Sequence, residues 1–226
     1  TLNTTATANR FDGTLDNLVV WDGEMTATEV SSYSGCLPLA SNTDVIGKWS
    51  FEEQAGTTTA DSAGTASGTL SSSTLWSNDT STIVCTNTSN PNAGPAIEMD
   101  GTNDYISMGT DSDLAVSTAQ GRSFLLDFKA DSYGGTLVSR YVNFNTSSSS
   151  FYIGINSSGK VVVAGKGTND IQSTNAVVLN QWQRLAVTVS ASGQAKIYID
   201  GVSNGSGTIT LNSSIPAQEF TIGTLN

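Results

Sequence analysis

The chain contains few residues that could catalyse a reaction. It has no histidine among its 226 residues, which excludes Ser-His-Asp and Cys-His nucleophilic sites and histidine-ligated metals. The one glycosidase-like pattern is Glu98-x-Asp100 in AIEMDG, where two carboxylates two residues apart on a strand share one face. Glycoside hydrolases use such carboxylates as general acid and nucleophile. Thr102 stands where a third carboxylate is expected along that strand, so we predict no enzymatic activity.

The charge of the chain excludes other functions. With 9 basic and 20 acidic residues, the formal net charge is −11. Such a chain repels phosphate backbones, so we expect no nucleic-acid binding. No apolar run approaches the roughly 20 residues of a membrane-spanning helix, so we expect no membrane insertion. Acidic side chains near turns could bind Ca²⁺, which prefers oxygen ligands, or could simply keep an extracellular protein soluble.

Cysteines and glycosylation sequons indicate an oxidising, extracellular setting. The two cysteines, Cys36 and Cys85, are predicted to form a disulfide, with two unrelated thiols as the alternative. Asn-x-Ser/Thr sequons permit glycosylation but do not require it in a chain so rich in Ser and Thr. They occur at Asn3, Asn78, Asn87, Asn145, Asn156, Asn204 and Asn212.

Alternating apolar residues predict a chain built mainly of strands. These strands would then position any functional site. In SFLLDFKAD, Phe124, Leu126 and Phe128 share one face, and QRLAVTVS and AKIYIDG show the same period of two. FYIGINSSGKVVVAG and VTVSASGQAKIYID have turn residues between two apolar runs, as hairpins do. Short strands joined by such turns indicate two packed antiparallel sheets.

One short helix is predicted. Thr26-Ala27-Thr28-Glu29 fits a capping box, in which the threonine hydroxyl and the glutamate each bind a free backbone N–H. The helix would run from about Ala27 to Tyr33 and end before Gly35.

Four segments together resemble a laminin-G-like, concanavalin A-type domain. They are DVIGKWSFEEQAGTTTADSAG, AIEMDGTNDYISMG, LNQWQRLAVTVSASGQAKIYIDGV and FDGTLDNLVVWDGEMTATEV, and they are spread over the chain from residue 11 to residue 202. The resemblance implies an all-β, two-sheet jelly-roll sandwich with one short helix. It also accounts for Asp100 as a turn residue before Gly101.

The order of these segments departs from the family. The strand and helix that close the family's domain come first here, in residues 1–40, and residues 41–226 form a body that lacks its last strand. Residues 1–40 could fold back onto their own chain as a circularly permuted sandwich. They could instead complete a neighbouring subunit or repeat, and the TLN at both ends could mark one period of a tandem array.

The hypothesis that we favour from the sequence is a non-catalytic structural or adhesive protein at the cell surface. In it, copies of the chain assemble head-to-tail into a fibre by donating the strand from Leu15 to Trp21. The disulfide could then lie within one chain or join two. The apolar residues buried at the assembly joint would be Leu15, Leu18, Val20, Trp21 and Met25.

The alternative hypothesis is a self-contained lectin-like module that binds glycans with calcium support. The motif matches point to Asp16 and Asp61 as Ca²⁺ ligands, with turn capping as the other interpretation. Trp76 and Tyr133 are the glycan-contact candidates, and packing under a loop is their alternative role. Trp49 and Trp182 fit core positions and are excluded as glycan contacts.

Overall fold

The computed structural model of the protein describes residues 9–35, 42–72, 75–83, 94–140, 151–167, 170–213 and 218–225. These residues form the predicted sandwich of two sheets, in which every pair of strands is antiparallel. Both predicted hairpins are present.

The first sheet contains β1 and is ordered β15-β14-β13-β8-β1-β6-β5, with β2 also paired to β1. Its strands are β1 (Asp12–Asp22), β2 (Val45–Trp49), β5 (Trp76–Ser77), β6 (Ala96–Asp100), β8 (Arg122–Ala130), β13 (Gln183–Val189), β14 (Gln194–Ile199) and β15 (Val202–Thr208).

The second sheet is ordered β12-β11-β10-β9-β16-β7-β4-β3. Its strands are β3 (Thr58–Thr59), β4 (Gly68–Leu70), β7 (Ile106–Ser107), β9 (Thr136–Arg140), β10 (Phe151–Ile155), β11 (Lys160–Ala164), β12 (Asp170–Ala176) and β16 (Thr221–Ile222). The short 3₁₀ helices Asn42–Asp44 and Ser112–Leu114 lie in the connections.

Strand β1 lies in the middle of its own chain's first sheet, although it comes first in the sequence. One edge pairs with β8 along its whole length, from Gly13 opposite Ala130 to Asp22 opposite Arg122. The other edge pairs with β6 and then with β2. A neighbour's β1 in the same place would make the same pairs, so strand donation stays a prediction.

A bulge in β1 sends its side chains to two different surroundings. Two residues of β1, Asn17 and Leu18, separate Asp16 from Val19 where β8 has one, Leu126, and Asn17 has a φ of 52°. Leu15, Leu18 and Val20 point into the core between the sheets. Asp16 and Val19 consequently face the outer side of the sheet.

The core between the sheets is rich in aromatic residues. Phe124 stacks on Phe151 with ring centroids 4.5 Å apart. Trp49 is fully buried there, as predicted, and its indole N–H donates to the Ala66 carbonyl at 2.9 Å. Burying apolar area on the facing sides of the two sheets is the main source of stability for such a sandwich.

Helix α1 (Ala27–Ser34) packs on the outer side of the first sheet. The predicted capping box is confirmed, because Thr26 Oγ1 accepts from the Glu29 N–H and Glu29 Oε2 accepts from the Thr26 N–H at 2.7 Å. Val30 and Tyr33 are its buried residues. They form a second apolar cluster with Val19, Trp21, Met25, Leu125, Ala186 and Tyr198.

We expect the core position of β1 to dominate its effect on stability. Leu18→Ala should lower the free energy of unfolding by about 2–5 kcal/mol, because it opens a cavity between the sheets. Val202→Ala, at a position that is 68% exposed, is the control and should change it by less than about 0.5 kcal/mol. Urea denaturation measures both values. A loss below about 1 kcal/mol for Leu18→Ala would contradict this placement of β1.

Candidate functional site

The outer side of the first sheet has two covers. Helix α1 lies over one part, and the segment 78–83, which follows β5 and which we call the strap, lies over another. Asp79 holds the strap in place, since its carboxylate binds the Lys129 ammonium and accepts from the Trp182 indole N–H at 3.4 Å. Between helix and strap the sheet carries polar side chains.

A buried ion pair forms the centre of this polar region. Arg184 donates from Nε to Asp127 Oδ1 at 2.6 Å and from Nη2 to Oδ2 at 2.7 Å, so β13 and β8 are joined by a bidentate contact. Arg184 Nη1 donates to the Tyr33 carbonyl at 3.0 Å, and the guanidinium lies 4.9 Å from the Tyr33 ring centroid. The pair therefore anchors the end of α1 to the sheet.

Asp16 lies next to this pair and is fully buried. Neither of its carboxylate oxygens has a hydrogen-bond partner among the described residues. Burial, and then the negative charge of Asp127, raise the pKa of Asp16 from 3.8 to about 9. Glu52 raises it further, while the Asn17 backbone and Arg184 lower it. Asp16 is consequently a neutral carboxylic acid at pH 7, and the Asp127 charge is balanced by Arg184.

The same burial affects Tyr33. Desolvation, followed by the charge of Asp127, raises the pKa of its hydroxyl. The hydroxyl oxygen has no hydrogen-bond partner within the described part of the chain. Beneath the helix, the protonated Asp16 carboxyl and the protonated Tyr33 hydroxyl thus lie beside the Arg184–Asp127 ion pair.

A cleft of about 510 Å³ opens between helix, strap and sheet. Arg184 contributes to it from the sheet, and Trp182 contributes an aromatic side chain that is 7% exposed. The Ser34 hydroxyl, also in the lining, is buried and has no partner among the residues described. The remaining lining residues are Ser31, Gly35, Thr82, Ile83, Gln181, Asp200, Gly201 and Val202.

The turn between β14 and β15 forms one rim of the cleft. Asp200 and Gly201 have φ values of 52° and 77°, the left-handed conformations that an Asp-Gly hairpin turn adopts. A Cβ on Gly201 would lie 2.8 Å from the Ser34 Cβ, so glycine also allows the turn to approach α1. Asp200 Oδ1 accepts from the Arg184 backbone N–H at 2.8 Å, which fixes an exposed carboxylate beside Gln181.

Sequence reasoning missed this cleft. Trp182 was assigned to the core, but it is absent from the cluster between the sheets and lines the cleft instead. The signal was present: Leu185, Val187 and Val189 face the core, so the period of two puts Trp182 and Arg184 on the opposite side. Gln181 and Asp200 belong to the segment LNQWQRLAVTVSASGQAKIYIDGV, whose resemblance to the family indicates the fold but not a binding role for these two residues.

The two calcium candidates have different surroundings. The Asp61 carboxylate accepts four backbone N–H groups, from Lys48, Ala63, Gly64 and Ala66, at 2.8–3.1 Å. It therefore caps the turn, the alternative role considered above. No group of three or more acidic or cysteine side chains that could hold a metal occurs in the described ranges. Calcium binding by Asp16 and Asp61 stays a prediction.

The glycan-contact candidates lie away from the cleft lining. Trp76 is half-buried against the core, and its indole N–H donates to the Gly56 carbonyl at 2.9 Å. Tyr133 is 45% exposed and lies over Gly159 at the β10–β11 turn. Asp100 Oδ1 accepts from the Thr102 N–H at 2.8 Å, which lowers the pKa of this exposed side chain and fits a turn residue.

The predicted sequons differ in exposure. Asn78 is exposed and Asn156 is half-buried, whereas Asn204 and Asn212 are buried. Asn204 Oδ1 accepts from the Asn175 N–H at 2.9 Å. Asn3, Asn87 and Asn145 lie outside the described residues. Glycosylation at all seven positions stays a prediction.

The strand topology is that of a concanavalin A-like jelly-roll sandwich. A family model described as the concanavalin A-like lectin/glucanases superfamily matches residues 100–226, more than half of the chain. The protein belongs to this superfamily, as its sequence motifs indicated. No match was found among the curated proteins.

Several solved structures are similar at low identity. The botulinum neurotoxin serotype C1 binding domain is 16% identical over 74% of this chain and 40% of its own, with a TM-score of 0.43. A Bacteroides ovatus protein, provisionally assigned as carbohydrate-binding, is 14% identical over 93% of this chain and 66% of its own, with a TM-score of 0.39. The chain spans less than half of the neurotoxin domain. Since both scores are below 0.5, the fold assignment rests on the strand topology and the family match.

We expect Asp16 to make stability depend on pH. Its pKa is about 9 when folded and near 3.8 when unfolded, so between these values the folded chain holds a proton that the unfolded chain releases. Stability should therefore fall as pH rises through this window. Asp16→Asn should remove that part of the slope and raise stability at about pH 8.

Urea denaturation at about pH 5 and about pH 8 measures this effect. Asp170→Asn, which removes an exposed carboxylate of the second sheet, is the control and should keep the wild-type slope. An equal slope in Asp16→Asn and wild type would show that Asp16 is ionised in the folded protein.

The cysteines lie outside the described residues, and we propose that they form an intramolecular disulfide. Gly35 precedes Cys36, Ile83 lies two residues before Cys85, and both flanking residues line the same cleft. Cys36→Ser, Cys85→Ser and the double variant should each lose the same stability, about 2–4 kcal/mol, because one bond is lost in all three. Thermal unfolding and non-reducing electrophoresis check this, and a reductant-sensitive dimer of the wild type would show an intermolecular bond instead.

Proposed function

We propose that this protein is a carbohydrate-binding module and that the cleft between α1, the strap and the β14–β15 turn is its binding site. The observation that carries the proposal is the composition of the cleft. Ile83 and the exposed Val202 supply apolar surface, while the exposed Gln181 and Asp200 supply hydrogen-bonding groups. A sugar has both kinds of surface, with C–H groups on its faces and hydroxyls on its edges.

The rigidity of the site supports this function. The Asp200 carboxylate accepts from the Arg184 backbone N–H, and the Trp182 indole N–H donates to Asp79 of the strap. The Arg184 guanidinium fixes the end of α1 by donating to the Tyr33 carbonyl. A site whose side chains are already fixed loses less conformational entropy when it binds a ligand. Membership of the lectin/glucanase superfamily is consistent with this function, although a fold alone does not define one.

Binding without catalysis is part of the proposal. Glycoside hydrolysis needs two carboxyl groups about 5–9.5 Å apart across the scissile bond. Among the described residues that line the cleft, Asp200 is the one acidic side chain. The chain has no histidine that could act as the second acid or base. We also propose an extracellular location, which the sequons and the even number of cysteines support. Separately, no helix among the described residues is long and apolar enough to span a membrane.

Strand donation is a second candidate function. The segment 9–35 contributes the central strand of one sheet and a helix that covers it, and it connects to the rest through residues 36–41. Because Leu15, Leu18, Val20, Trp21 and Met25 are all buried, exchange of this segment between copies would bury the same apolar surface in a neighbour. Filaments or ladders of oligomers in sedimentation and electron microscopy would favour assembly, and a discrete monomer would contradict it.

Replacing Gln181 should weaken glycan binding without unfolding the protein. Gln181 is exposed, so Gln181→Ala removes one hydrogen-bonding side chain from the rim, and we expect a two- to tenfold loss of affinity, about 0.5–1.5 kcal/mol. Gln172→Ala, on an exposed part of β12, is the matched control and should bind like wild type. Isothermal titration calorimetry with a glycan selected on an array provides the affinities.

Two outcomes would contradict the proposed site. If the wild type binds no glycan on the array, the proposal of carbohydrate binding itself is wrong. Equal losses in Gln181→Ala and Gln172→Ala would place the binding site elsewhere on the sandwich.

A further inference from the structure

The charges around the cleft restrict the class of glycan that it can take, and this inference rests on the function proposed above. Arg184 is the one basic residue among the described residues of the lining. Its side chain is 1% exposed, and its guanidinium already binds both Asp127 oxygens and the Tyr33 carbonyl. The Arg184 guanidinium is therefore already engaged and is not available to bind a ligand carboxylate.

The segments that continue from the cleft bring no further cation. Residues 36–41, CLPLAS, follow Gly35, and residues 84–93, VCTNTSNPNA, follow Ile83, and neither contains a lysine or arginine. Lys129, which contacts the strap, binds Asp79, and Lys196 of β14 binds Glu24. Among the described residues that line the cleft, a carboxylate or sulfate would therefore find no basic partner other than the engaged Arg184.

An exposed anion stands on the rim instead. Asp200 is held there by the Arg184 N–H at 2.8 Å, and the chain as a whole carries a formal charge of −11. A carboxylate accepts hydrogen bonds from sugar hydroxyls and strengthens them by its charge. The same carboxylate repels an acidic sugar, and the described lining has no basic side chain except Arg184, which is bound to Asp127.

We propose that the cleft selects neutral glycans and rejects sialylated, uronic-acid-containing and sulfated ones. In this arrangement Asp200 accepts from hydroxyl groups of the sugar, Gln181 offers its amide, and the exposed Val202 packs against the sugar's C–H face. Asp200 thereby serves both affinity for hydroxyls and discrimination against acids.

The experiment uses an array of matched pairs, each a neutral oligosaccharide and the same oligosaccharide with a terminal sialic acid or sulfate. Wild type should bind the neutral member at least about tenfold more tightly. Asp200→Asn keeps an acceptor for the Arg184 N–H and tolerates the left-handed conformation. It should weaken binding of the neutral member and reduce the preference at least about threefold, because the repulsion is gone.

Asp170→Asn removes the same charge from the second sheet and should leave the preference unchanged. A preference of wild type for the acidic member, or an unchanged preference in Asp200→Asn, would overturn the inference while leaving carbohydrate binding intact. Binding of neither member of any pair would overturn the proposed function and this inference with it.

Discussion

The arrangement of the outer face depends on the ion pair between Arg184 and Asp127. Two buried charges are costly unless they are paired and hydrogen-bonded, and here the bidentate contact satisfies both carboxylate oxygens. The third contact, from Arg184 to the Tyr33 carbonyl, joins the helix to the same pair. Removing either partner would leave a buried charge under α1 and disturb the floor of the cleft.

The neutral state of Asp16 is a consequence of the same constraint. With Arg184 already balanced by Asp127, a second buried carboxylate has no cation to neutralise it, so it keeps its proton. Asp16 faces this side because it alternates with Leu15, and the bulge at Asn17 returns Leu18 to the core. Strand β1 thus contributes both to the packing between the sheets and to the buried carboxyl beneath the helix.

The period of two predicted the core face of the strands, and turn residues predicted the hairpins, because both signals are local. The capping box predicted the helix for the same reason. The cleft depends on contacts distant in sequence, such as Arg184 with Tyr33 and Trp182 with Asp79, which no local pattern contains. Asp127 and Trp182 lie on the polar side of their strands, and only the covering helix and strap make that side a buried one. Of the four N–H contacts of Asp61, three are local, and the one from Lys48 comes from a strand 13 residues earlier.

The most direct test of the account is to map the bound glycan on the protein. Backbone amide shifts, recorded by heteronuclear NMR while a neutral oligosaccharide is titrated, report which residues change their surroundings. The account predicts saturable shifts at Ser34, Gln181, Trp182 and Asp200 to Val202, on helix, strand and turn around one cleft. Shifts confined to the surroundings of Tyr133 or Trp76 would contradict it, because binding would then use another face of the sandwich.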